Sequence, residues 1–141
     1  MHHLGQTRSA RRADHILQTP DTFVRAPLPG MRNASAIVHA APAIGARFTQ
    51  YTAEFEAGGA LGPAAMQRFL YVLEGEVEVN GASLTRDDYA YFPPGHAAAV
   101  SAKTAARAAI IEKPYLPSPE SIKSPCSMTW ISTMGSVAPG R

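Results

Sequence analysis

A single cysteine, Cys126, leaves the chain without the means to form an internal disulfide. That usage fits a reducing compartment, and the expected location is the cytoplasm. Charge is scarce as well: Asp, Glu, Lys and Arg make up 17% of the 141 residues, against about 25% in ordinary domains. The net charge of +2 is too small for a nucleic-acid footprint, so no nucleic-acid partner is expected. No apolar run approaches the roughly 18 residues of a membrane helix, so no membrane partner is expected. Residues 1–20 are polar and Arg-rich and lack the apolar core of a signal peptide. Rossmann, P-loop and zinc-ribbon spacings are missing, and no internal repeat is present.

Proline, by contrast, is plentiful: 12 of 141 residues is about 9%, against a norm of roughly 5%. With 45% apolar residues and little charge, this composition suits a turn-rich β fold with one core. Residues 1–20 read as an arm, with Arg8, Arg11 and Arg12 solvated, one short helical turn at most, and a stop at Thr19-Pro20. Residues 21–33 begin as a strand, which Pro27 and Pro29 confine to an edge or a connection. A strand follows over 34–40. Residues 46–56 alternate, with Tyr51, Ala53 and Phe55 on one face and Gln50, Thr52, Glu54 and Glu56 on the other. Phe69 to Leu73 is apolar on both faces, so its outer side calls for a cover. Further strands are expected at 76–79, 82–86, 89–92, 97–100 and 105–112. Eight to ten short strands at regular spacing predict an all-β sandwich or barrel over residues 21–116. From 117 to 141 the Ser- and Pro-rich sequence, with Trp130 and Ile131 stranded in it, reads as a linker or tail. A truncated or frameshifted product would give such an end.

Two stretches organise the barrel. The first runs from a glycine-rich loop expected at Gly58-Gly59 through the apolar run to Asn80-Gly81, a dipeptide that accepts the positive φ values of a type I′ hairpin turn. The second is Asp87-Asp88-Tyr89-Ala90-Tyr91-Phe92-Pro93-Pro94-Gly95-His96. Together they resemble the paired motifs of a cupin, a double-sheet jelly-roll barrel. A metal-binding cupin carries G-x5-H-x-H-x3-4-E-x6-G and then G-x5-P-x-G-x2-H-x3-N. Its histidines and glutamate converge inside the barrel on one ion. Here Gly75 takes the final glycine of the first motif, which puts Arg68 in the glutamate position. The two histidine positions fall within Leu61–Ala64, and the last histidine position is Ala98. The scaffold is expected without its metal ligands, so no catalytic and no metal residue is assigned. Candidate barrel-lining residues are Gln67, Arg68, Tyr91 and His96. Phe69, Tyr71 and Leu73 are candidates for an interface, which predicts a homo-oligomer or a second cupin domain as partner. Asp87-Asp88 reads as turn chemistry, and Glu54, Glu56, Glu74, Glu76 and Glu78 read as solvent faces.

The longer matches are more specific. Leu4-Gly5-Gln6-Thr7-Arg8, His15-Ile16-Leu17, Thr19-Pro20-Asp21 and Phe23-Val24-Arg25-Ala26-Pro27-Leu28-Pro29-Gly30-Met31 resemble the start of bacterial (S)-ureidoglycine aminohydrolases. Gly45 to Tyr51, Arg68 to Gly75, Tyr91 to Gly95 and Glu112-Lys113-Pro114-Tyr115 carry the resemblance to about residue 117. The resemblance implies a place in purine (allantoin) catabolism, in hydrolases that convert (S)-ureidoglycine to (S)-ureidoglycolate and ammonia. It also implies a tandem bicupin whose manganese sits in the C-terminal cupin, with this chain matching the metal-free N-terminal half. On that basis the chain alone holds no cofactor and is structural and inactive. The alternative is a stand-alone metal-free cupin that binds a small ligand or a partner protein.

Overall fold

Alternating apolar and polar residues build the strands, and turn residues cut them. In the computed structural model, which describes residues 7–117, eleven strands form. The tail expected over 117–141, with Cys126, Trp130 and Ile131, lies outside the described residues from 118 onward. So do Leu4, Gly5 and Gln6. β1 (Ala10–Arg11) and β2 (Ile16–Leu17) pair as a small hairpin. The other nine strands share one antiparallel sheet: β3 (Arg25–Ala26), β4 (Met31–Ala40), β5 (Thr49–Leu61), β6 (Gln67–Glu74), β7 (Val77–Val79), β8 (Ala82–Leu84), β9 (Tyr89–Phe92), β10 (Val100–Ala102) and β11 (Ala106–Lys113). Its order is β8-β7-β10-β5-β11-β6-β9, with β4 on β5 and β3 on β4. The sheet curls into a nearly closed jelly-roll barrel.

β5 holds the barrel together. Its first part pairs with β11, its last three residues pair with β10, and β4 runs along its other edge. One strand can face two neighbours in turn only if it bends. Gly58 supplies the bend with φ of 76°, and a side chain on Gly59 would start 2.6 Å from the Asn33 carbonyl. Gly58 to Leu61 therefore belong to β5, not to the glycine-rich loop expected there. Asn80 and Gly81 adopt φ of 51° and 78°, as the type I′ hairpin between β7 and β8 requires. Of the stretch 21–33, expected to begin as a strand, residues up to Gly30 are mostly turn, with a short 3₁₀ turn at Pro20–Thr22 and only Arg25–Ala26 paired, while Met31 opens β4. Proline at 20, 27 and 29 removes the donors a longer ladder would use.

The interior is filled from all sides. Tyr51, Ala53 and Phe55 of β5, Leu70 and Val72 of β6, Val77 and Val79 of β7, and Ala108 and Ile110 of β11 form one buried cluster with Leu84, Phe92 and Val100. On β6 the period of two is clear: Arg68, Leu70 and Val72 are buried, and Phe69, Tyr71 and Leu73 are half-buried on the outside.

The arm is docked, which solvated arginines alone do not suggest. Thr19 is buried in a knot of hydroxyls in which its backbone N–H donates to Ser9 Oγ at 2.9 Å. Asp21 closes the knot by accepting from the Thr19 hydroxyl, and that bond holds its carboxyl below the usual carboxylate range. Gln18 and Phe23 then reach His39 on β4, with the Phe23 and His39 rings edge to face at 5.4 Å. The His39 ring lies 3.0 Å from Gln18 Oε1 through Nδ1 and 2.8 Å from Thr52 Oγ1 through Nε2. A carbonyl acceptor on one side and a hydroxyl donor on the other suit the neutral ring. Beside them Ile37 is fully buried although it lies in register with Thr52 on the outer face.

Burial lowers the His39 pKa below its ordinary 6.5. The unfolded chain then binds the His39 proton more readily than the folded one as the pH falls below that value. The stabilisation is present near neutral pH and is lost on acidification. Urea midpoints should fall between pH 7.5 and pH 5.5, and His39→Gln should flatten that fall. An identical slope in the variant would remove His39 as the cause.

Candidate functional site: a charge pair inside the barrel

Arg68 occupies an inward position of β6 because it shares parity with Leu70 and Val72. Among the described residues it is the largest fully buried side chain, only 2% exposed. A charge there is costly unless its donors are met. Nε donates to Glu112 Oε1 at 2.8 Å, and Nη2 lies 2.8 Å from the same oxygen. Nη1 donates to two backbone carbonyls, Gly62 at 3.0 Å and Ala98 at 3.1 Å. Glu112 comes from β11, whose register sets it directly opposite Arg68. The Tyr51 hydroxyl donates to the same Glu112 oxygen at 2.9 Å. Burial first, and the Glu112 carboxylate second, push the Tyr51 hydroxyl far above its ordinary 10.0. Tyr51 therefore stays a donor and is no base at neutral pH.

Of the four expected lining residues, only Arg68 lies inside. Gln67 precedes it on the strand and so faces the other way, where its Oε1 accepts from the Tyr91 hydroxyl at 2.8 Å. Tyr91 is 44% exposed on β9, and His96 is exposed in the turn after Pro93-Pro94-Gly95. Glu112 and Tyr51, which complete the cluster, were not among the expected site residues. Asp87 and Asp88 act in a turn: Asp88 accepts the Thr85 N–H at 2.9 Å, and Asp87 accepts the Tyr71 hydroxyl at 2.7 Å. On the outer face Glu54 binds Arg25 at 2.9 Å, and Arg107 bridges Glu54 at 3.7 Å and Glu74 at 3.3 Å. These acids hold strands together. A surface cleft of about 420 Å³ lies beside Met31, Asn33, Ser35 and Glu56 and shares no residue with the Arg68 cluster.

Arg68, Gly62 and Ala98 are the positions where the cupin motifs expect a glutamate, a histidine window and the last histidine. The guanidinium therefore stands where a metal-bearing cupin would gather its ligands, and its contacts take the nearby acceptors. A divalent cation does not fit beside that fixed positive charge. Among the described residues, no three His, Cys, Asp or Glu side chains cluster as an ion would need.

No family model matches the chain. An (S)-ureidoglycine aminohydrolase of Arabidopsis thaliana is 33% identical over 118 residues, covering 79% of this chain and 40% of the relative. A probable (S)-ureidoglycine aminohydrolase of Oryza sativa is 36% identical over the same length, covering 79% and 38%. The crystal structure of protein Ylba from Escherichia coli superposes with a TM-score of 0.71 at 25% identity, over 81% of this chain and 52% of that one. The chain is a cupin related to the (S)-ureidoglycine aminohydrolases. An RmlC-like cupin from Shewanella frigidimarina, at a TM-score of 0.58 and 16% identity over 77% of this chain and 96% of that one, shares the fold. This cupin spans about two fifths of the length of its curated relatives.

Breaking the cupin's buried pair leaves an uncompensated charge, at a cost of about 3–5 kcal/mol. Arg68→Met should lower the urea unfolding free energy by about that much. The double variant Arg68→Met/Glu112→Leu should lose much less than the sum of the two single changes. Additive losses would show that the two charges do not depend on each other.

Proposed function

We propose that this chain is the metal-free cupin half of an (S)-ureidoglycine aminohydrolase, equivalent to the N-terminal half, and is structural and inactive by itself. The reading places one barrel over about residues 21–116 in the cytoplasm. It assigns the hydrolysis of (S)-ureidoglycine to (S)-ureidoglycolate and ammonia, a step of allantoin breakdown, to a second cupin that carries manganese. The carrying observation is Arg68, whose guanidinium binds the Gly62 and Ala98 carbonyls at the motif's ligand positions. Such a hydrolase needs an ion to orient substrate and stabilise developing charge, and this interior offers a cation of its own instead.

Elemental analysis of the gently purified chain should find far less than one manganese, zinc or iron per chain. Ammonia release from (S)-ureidoglycine should stay at the uncatalysed rate. A stoichiometric ion that disappears in His96→Ala would reverse the assignment.

The alternative is a stand-alone metal-free cupin that binds a small ligand or partner protein, and the outer face of β6 fits either reading. There Phe69, Tyr71 and Leu73 are half-buried, the Phe69 and Tyr89 rings lie 5.9 Å apart, and Ile111 pairs with Phe69. A patch of this kind favours a cover, either another copy or a second cupin domain. Sedimentation at micromolar concentration should show dimers or larger species, and a clean monomer would leave the face without a partner.

A further inference from the structure

We infer that the Arg68 end of the barrel is a built cation site, shaped for a guanidinium and filled by the chain's own side chain. The inference goes beyond the proposed role and does not rest on it. The three acceptors come from separate places: Glu112 from β11, held by the Tyr51 hydroxyl of β5, Gly62 just after β5, and Ala98 just before β10. Segments far apart in sequence thus turn oxygen toward one point.

The geometry selects a planar cation over a round one. The two Nη1 hydrogens part toward carbonyls on different loops, at 3.0 and 3.1 Å. Nε and Nη2 converge on one carboxylate oxygen, each at 2.8 Å. A guanidinium offers this fork in a fixed plane, whereas an ammonium is a compact point charge without such directions. Tyr51 fixes the carboxylate from the other side, so the site keeps its shape without help from the cation's stem.

Cutting Arg68 back to alanine removes the atoms of one ethylguanidinium. The barrel wall then holds a pocket in which two carbonyls and a carboxylate have lost the guanidinium's donors, while Tyr51 still holds the carboxylate. Free ethylguanidinium is the matching ligand.

The test compares the full chain with its Arg68→Ala variant in low-millimolar ethylguanidinium chloride. Ethylammonium chloride and manganese chloride at equal concentration are the other arms. Ethylguanidinium should raise the variant's Tm in a saturable way, by roughly 5 °C near saturation, and leave the native chain unmoved. In Arg68→Ala/Glu112→Gln the rise should shrink strongly. If Arg68→Ala does not fold alone, recovery of soluble barrel on refolding with ethylguanidinium supports the site, and no recovery overturns it. An equal response of the native chain, an equal response to ethylammonium, or a larger response to manganese would each overturn it too.

Discussion

The barrel depends on one charge being met inside it. Arg68 stands in the wall beside Leu70 and Val72, where an unpaired guanidinium would not be tolerated. A lone carboxylate would only partly repay its transfer from water. The structure adds two backbone carbonyls and anchors the carboxylate with Tyr51. The pair therefore ties β6 to β11 while also fixing the loops after β5 and before β10. Shape at that end of the barrel follows from this network as much as from apolar packing.

Much of this was legible in the sequence, because a strand's period of two is visible in one dimension. The alternation of Tyr51, Ala53 and Phe55 identified the inner face of β5, and Asn80-Gly81 identified a hairpin. Motif spacing put Arg68 in the position it holds. The same parity argument rules out Gln67, its immediate neighbour, as a lining residue. Glu112 carried a usable signal too, since it continues the inward series Ala106, Ala108 and Ile110 as its only acid. Its pairing with Arg68, 44 residues away, depends on which strands become neighbours, and local pattern does not encode that.

The arm and the bend escaped for related reasons. Gly58-Gly59 looks like a loop until β4 and β10 are known to flank it, because glycine marks bulges and turns alike. Gln18 looks like polar surface and Phe23 like a strand residue until His39 is placed beneath them. Outer-face burial comes from a second layer of chain laid over the sheet, and alternation within a single strand says nothing about it.

The position of β11 has a consequence for synthesis. It is the last of the described strands, yet it lies between β5 and β6. Until Lys113 has left the ribosome, both of those strands keep an open edge, and the Arg68 guanidinium has no carboxylate to enter the barrel with. Strands β3 to β10 must wait in a half-made sheet, a state prone to mispairing. Closure and charge neutralisation thus arrive in the same event, and the nascent chain has no earlier point at which it is safe.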